Sequence, residues 1–248
     1  MKRILRWILI AFVILLVGVV GGFVLYARLS TAAPQPEALA AMRSTDEVEV
    51  VTDKWLVFHP RESTPNVGFI FYPGGLVDPR AYAPMARDIA ANKGSLVVIV
   101  PMPLNLAVLG SGKAAPVIES FPEIKKWAIG GHSLGGAMAS QYAHRNPKSV
   151  SGLVLWAAFP PDSSDLSAST LAAMSIYGTR DGLVSIGEIE ESRRLLPVDT
   201  EFVPIEGGNH AQFGWYGPQK GDLPATISHA DQQAQAVAGT ISLMDRLE

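Results

Sequence analysis

The sequence predicts an α/β fold, a mostly parallel sheet with helices on both faces, preceded by one N-terminal transmembrane helix. Three observations predict it. From Val67 onward, short apolar runs alternate with helical stretches, the pattern of a parallel sheet buried on both faces. One of those runs, Trp127–Ile129, leads into a glycine-rich turn followed by a helical segment. Residues 4–26 are almost entirely Ile, Leu, Val, Phe, Gly, Ala and Trp.

In chain order the apolar stretch comes first. At ~1.5 Å per residue its helix is ~34 Å long, enough to cross a ~30 Å hydrocarbon core. It lacks the polar stripe of a helix packed on a soluble domain. Lys2, Arg3 and Arg6 stand at its N-terminal end and only Arg28 follows it closely. The positive-inside bias then holds the N-terminus in the cytoplasm and places the rest of the chain on the far side of the cell membrane. The alternative is a cleaved signal peptide, for which Ser30-Thr31-Ala32 offers small residues. The run is longer than the ~7–15 residues of an ordinary signal h-region, and we read an uncleaved, single-pass anchor.

Residues 27–46, with Pro34, Pro36 and several alanines, read as a linker. Residues 47–248 then form one domain of about 200 residues with a full core. Its first elements, around Val48–Val51 and Trp55–Phe58, flank a Thr-Asp turn and read as an antiparallel hairpin at a sheet edge. The strands that follow are Val67–Tyr72, Leu96–Val100, Trp127–Ile129, Leu153–Trp156, Met174–Tyr177 and Phe202–Ile205. Helices are expected at Arg80–Asn92, around Leu106–Ser120, and at Leu134–Arg145, Gly187–Leu195 and Ala225–Leu247. Composition narrows the chemistry. The absence of cysteine excludes disulfides, thiolate metal sites and thiol nucleophiles. A net charge of −3 gives no electrostatic reason to expect nucleic acid as a partner.

The turn after Trp127–Ile129 reads Gly130-Gly131-His132-Ser133-Leu134-Gly135-Gly136 and contains G-x-S-x-G. A short motif of this kind is weak alone; its place between strand and helix makes it specific. Such a turn is too tight for flanking side chains and lifts the serine hydroxyl off the sheet, with the helix N-terminus aimed at charge developing beside it. Ser133 is therefore the candidate nucleophile. It needs an oriented base, and on this scaffold the chain order is serine, acid, histidine. Asp181 is the first acid beyond the strand Met174–Tyr177, and His210 follows Phe202–Ile205 in Glu206-Gly207-Gly208-Asn209-His210. Glu206 is the rival acid. The other histidines are read as structural or surface residues: His132 points away from the serine, His144 lies about three turns along the helix, His59 precedes the core sheet and His229 falls in the last helix. An oxyanion hole needs two backbone N–H groups. One is that of Leu134, and the other comes from Tyr72-Pro73-Gly74-Gly75-Leu76, with Gly75 first and Leu76 the near alternative. The aromatic run Gln212–Gln219 either lines the substrate pocket, through Phe213, Trp215 and Tyr216 together with Leu76 and His132, or packs on the last helix.

From about Val67 to its end the chain resembles the α/β-hydrolase superfamily. Phe71–Leu76, the serine turn, Tyr177-Gly178-Thr179-Arg180-Asp181 and Gly207-Gly208-Asn209-His210 are similar to the small, lidless branch related to dienelactone hydrolases and carboxylesterases. The resemblance implies an α/β-hydrolase fold and hydrolysis of a small-molecule acyl substrate. Two departures stand out. Pro73-Gly74 replaces the usual His-Gly, and a serine replaces the cysteine of dienelactone hydrolases, so a diene-lactone substrate is not implied.

The expected chemistry is attack by Ser133 on an acyl carbonyl with His210 as base, through an acyl-enzyme that water then hydrolyses. It calls for no metal and no cofactor. An acyltransferase or peptidase would use the same triad, and a membrane-tethered binding protein on the same scaffold would use none of it. A cap would lie between the strands Leu153–Trp156 and Met174–Tyr177. There Ala157–Ala173 leaves room for one short helix near Leu166–Ala173, so short or compact acyl groups and indifference to lipid interfaces are expected.

Overall fold

Eight strands form one sheet in a computed structural model of the chain that describes residues 2–248. Two helices, α1 (Lys2–Leu29) and α2 (Pro36–Ala41), precede it. The strands are β1 (Val48–Thr52), β2 (Leu56–Pro60), β3 (Val67–Tyr72), β4 (Leu96–Ile99), β5 (Lys126–His132), β6 (Gly152–Trp156), β7 (Ala172–Gly178) and β8 (Glu201–Ile205). Their order across the sheet is β1-β2-β4-β3-β5-β6-β7-β8. The pairs β1–β2 and β2–β4 are antiparallel and every later pair is parallel. This is the α/β-hydrolase fold.

Alternation along the strands builds two cores. Phe69 and Phe71 of β3 face one side with Trp156 and Ile176, where α3 (Ala83–Lys93) and α7 (His229–Asp245) contribute Met85, Ile89, Leu243 and Met244. Ile70 and Tyr72 face the other, against Val117 of α4 (Ala114–Ser120) and Met138 and Tyr142 of α5 (Leu134–Arg145). Both faces of every central strand are thus apolar, which is why the sequence reads as continuous runs. The remaining helix, α6 (Ile186–Ser192), follows β7 and opens with a capping box between Ser185 and Glu188.

Several expectations are corrected in detail. β5 continues through His132, three residues past the expected end. The helix expected from Arg80 begins as a 3₁₀ turn, Pro79–Tyr82, with Asp78 accepting from the Arg80 amide at 3.0 Å. The Leu106–Ser120 stretch is a 3₁₀ turn at Ala107–Leu109 followed by α4, and the last helix starts at His229 instead of Ala225. No helix forms near Leu166–Ala173. There Asp165 and Ser169 side chains accept from the Ser167 and Leu171 amides, diverting the backbone from a helical ladder, and β7 already begins at Ala172.

The 27–46 stretch, expected to be a linker, is ordered on the domain. Ala38 and Ala41 of α2 are buried, Ala32 bridges to Val77, and Gln35 donates its amide to the Trp215 carbonyl at 2.8 Å. Small alanine side chains let this segment lie close to its neighbours. α1 differs from every other helix in the chain. Its apolar side chains are exposed except near its end, where Val24 is half-buried and Ala27 buried, and Arg3–Leu29 is long and apolar enough to cross a membrane.

Candidate active site

The turn after β5 is forced by three glycines. A Cβ at Gly135 would collide with the Tyr72 and Pro73 carbonyls, one at Gly131 would meet the backbone of Gly135 at 2.5 Å, and one at Gly136 would meet Ala158 at 2.5 Å. With the backbone so close, Ser133 takes φ 52° and ψ −124°, a conformation that strains any residue bearing a side chain. Its own amide donates to the Trp156 carbonyl at 2.9 Å, which anchors the turn to β6. The Ser133 hydroxyl has no hydrogen-bond partner among the described residues.

Asp181 and His210, on the loops after β7 and β8, are in direct contact. Asp181 Oδ2 is 2.7 Å from His210 Nδ1, and both side chains are 1% exposed. The other carboxylate oxygen of Asp181 accepts from the Leu183 and Val184 amides, each at 2.7 Å, so the acid is held by backbone as well. His210 Nε2, the nitrogen opposite Asp181, is buried with no partner among the described residues. His132 joins the histidine to the serine turn, its ring centroid 4.5 Å from that of His210. Glu206 is exposed and accepts from the Thr179 hydroxyl at 3.3 Å.

The candidate oxyanion donors are adjacent. A Cβ on Gly75 would lie 3.0 Å from Leu134 Cδ2, and neither the Gly75 nor the Leu134 amide donates to an acceptor among the described residues. The Leu76 amide is occupied, donating to the Asn105 carbonyl at 2.8 Å. Gly75, Leu76 and Tyr216 line a groove of about 380 Å³ beside this pair. The other residues expected around a substrate are packing residues. His132 and Phe213 are buried, stacked 5.6 Å apart between ring centroids, and Trp215 stacks on His229 at 3.9 Å. Of Phe213, Trp215 and Tyr216, only Tyr216 lines the groove.

Three residues missed in the sequence organise the site. Tyr82 is fully buried, its hydroxyl 2.8 Å from His132 Nδ1 and 3.1 Å from the Gly74 amide that donates to it, so one phenol ties the Gly74-Gly75 loop to the serine turn. Burial holds the Tyr82 phenol above its ordinary range and the His132 imidazole well below its own, and the neighbouring His210 adds to the second effect, so both groups are neutral at pH 7. Asp222 accepts from the amides of Gly182, His210, Ala211 and Leu223 and so fastens the acid loop to the histidine loop. Gln232 of α7 both accepts from the Asn209 amide, at 3.0 Å, and donates to its carbonyl, at 2.6 Å. No sequence signal marks Tyr82, Asp222 or Gln232: none belongs to a motif, and each acts across the fold.

A profile of the Alpha/beta hydrolase family matches residues 68–234. Among solved structures, mouse alpha/beta hydrolase domain-containing protein 10 superposes with a TM-score of 0.53 at 14% identity, over 81% of this chain and 99% of that one. The esterase domain of a Rhodothermus marinus protein gives 0.56 at 12% identity, over 79% and 98%. A thermophilic esterase from the Planctomycetes species Thermogutta terrifontis gives 0.53 at 14%, over 82% and 91%. At these identities the likeness is one of fold. No curated protein matches by sequence.

The network generates a structural prediction. Replacing Asp222 with Ala leaves four amides without their acceptor. Unfolding free energy should fall by on the order of 3 kcal/mol, and hydrogen exchange should speed up at Gly182, His210 and Ala211 while the β3 and β5 amides stay protected. Unchanged exchange at those three amides would show that Asp222 does not fasten the loops.

Proposed function

The chain belongs to the α/β-hydrolase family, and on that premise we propose that it is a membrane-anchored serine hydrolase that cleaves a carboxylic ester through Ser133, His210 and Asp181. The observation that carries the reading is the buried Asp181–His210 pair, 2.7 Å apart, beside a serine held at φ 52°. A buried carboxylate on Nδ1 selects the tautomer whose Nε2 accepts a proton.

In the proposed reaction the Ser133 hydroxyl attacks the acyl carbonyl carbon as His210 Nε2 takes its proton. Asp181 stabilises the resulting imidazolium. The Leu134 and Gly75 amides receive the oxyanion, a role supported by both being uncommitted while the Leu76 amide is bonded to Asn105. The tetrahedral intermediate collapses, the C–O bond to the alcohol breaks, and His210 returns the proton to the departing oxygen. Water, deprotonated by the same His210, then attacks the acyl-enzyme and releases the acid with Ser133 restored. Retention of α1 is supported by Ala27, inside the helix and 1% exposed, a burial that would be lost with the helix.

Ser133→Ala should abolish ester hydrolysis and labelling by a fluorophosphonate probe, with a loss on the order of 10³-fold or more and an unchanged fold by circular dichroism. A variant that keeps most of its activity would place the nucleophile elsewhere. Asp181→Asn should lower kcat by orders of magnitude, whereas Glu206→Gln should be mild; the reverse ranking in steady-state kinetics would move the acid to Glu206. For topology, a reporter fused after Glu248 should behave as extracytoplasmic, and protease added to intact cells or spheroplasts should remove the domain. Protection in both formats would invert the orientation.

A further inference from the structure

We propose that the catalytic edge of the sheet faces the bilayer, and that the groove beside Gly75 takes an amphiphilic acyl ester resident in the facing leaflet, its tail left in the hydrocarbon. The inference rests on the hydrolase reading above and adds the source of the substrate.

The first observation is where α1 ends. Asn105 Nδ2 donates to Thr31 Oγ1 at 3.1 Å, the Ala32 amide to the Leu76 carbonyl at 2.8 Å, the Asp78 amide to the Ala32 carbonyl at 3.0 Å, and the Gln35 amide to the Trp215 carbonyl at 2.8 Å. The acceptors and donors on the domain lie on the loops that leave the C-terminal ends of β3, β4 and β8, the edge that carries Ser133, Asp181 and His210. Leu76, Leu104 and Asn105 in these loops all sit at φ between 53° and 55°, so the loops have little freedom to swing away from the helix.

The second is the groove itself. It is lined by Tyr26 of α1 and Ser30 just beyond its end, together with Gly75, Leu76, Val77 and Tyr216. Residues 4–26 of α1 already match the hydrocarbon thickness, which puts Tyr26 at the depth where tyrosines anchor in the interface. Part of the groove wall is therefore the spanning helix as it leaves the lipid, and Gly75, which lies against Leu134, lines the same groove.

The third is the distribution of exposed apolar side chains. Outside α1 there are eight large ones among the described residues: Leu39, Val51, Val108, Leu109, Leu183, Ile186, Val198 and Leu223. Five of these, Val108, Leu109, Leu183, Ile186 and Leu223, lie on segments leaving the C-terminal ends of β4, β7 and β8, so the apolar surface is on the site's side. The expectation of short acyl groups assumed that a missing cap leaves a long chain in water. With the bilayer against this edge, the tail never leaves an apolar phase and no cap is needed.

The test uses the full-length chain in phosphatidylcholine vesicles. Because it has no cysteine, Leu109→Cys and Val198→Cys each carry one spin label. Val198 is 94% exposed and precedes β8, at the opposite edge of the sheet. The Leu109→Cys label should be relaxed mainly by oxygen, as in lipid, and the Val198→Cys label mainly by a nickel chelate placed on both sides of the membrane. Equal access of the chelate to both labels overturns the proposal whatever the activity. In the same vesicles, 4-methylumbelliferyl oleate held in the bilayer and p-nitrophenyl acetate from solution should both be hydrolysed by the unmodified chain. Hydrolysis of the acetate alone overturns the substrate class and leaves the hydrolase standing; hydrolysis of neither removes the hydrolase reading and this inference with it.

Discussion

Between the carbonyls of Tyr72 and Pro73 and the first turn of α5 there is no room for a side chain at residue 135, and the geometry of the site descends from that contact. It brings the end of β3 against the end of β5, so the loop with Gly74 and Gly75 lies beside the serine turn and not above another part of the sheet. It also commits Ser133 to a strained φ, at a cost of about 1–3 kcal/mol that surrounding packing must offset. That packing is present: Tyr82, Phe71, Trp156 and Phe213 are all buried and linked in a chain of aromatic contacts. Tyr82 adds a polar link to the same cluster, which makes the position of the Gly74-Gly75 loop depend on core packing.

The histidine loop is held by different means. A Cβ on Gly178 would collide with the Gly208 carbonyl, so backbone approaches it closely too, but its further anchors are charge-assisted or paired hydrogen bonds from Asp222 and Gln232. Asp222 serves the acid loop as well, through Gly182, so Asp181 and His210 are positioned relative to one another twice: once by their own contact and once by a shared backbone acceptor. A rigid pair of this kind favours one imidazole orientation without demanding motion during a reaction.

The end of α1 belongs to the same assembly. The Leu76 carbonyl accepts from Ala32 while the Leu76 amide donates to Asn105, so the residue next to Gly75 is clamped between the helix end and the loop after β4. The end of α1 and the Gly74-Gly75 loop are consequently held by one set of hydrogen bonds. The absence of a cap between β6 and β7 takes on a different meaning in this setting, because an apolar wall can be supplied from outside the protein.

Much of the molecule was legible in the amino-acid order. The parallel strands appear as apolar runs because both their faces are buried, the apolar α1 is evident from composition, and Ser133, Asp181 and His210 stand at strand ends in the order the scaffold requires. Short-range chemistry of this kind needs no partner to be recognised. The 3₁₀ start of the Arg80 helix and the missing turn at Leu166–Ala173 were less legible, since local capping by Asp78, Asp165 and Ser169 competes with helical periodicity at a fraction of a kcal/mol per residue. Packing of His132 and Phe213, the bond that occupies the Leu76 amide, the contacts of Tyr82 and Asp222, and the docking of residues 27–46 were decided only by tertiary structure. Each depends on two groups far apart in the chain, 50 residues for Tyr82 and His132 and 74 for Thr31 and Asn105, and no local pattern encodes a contact that exists only once the sheet has brought its loops to one edge.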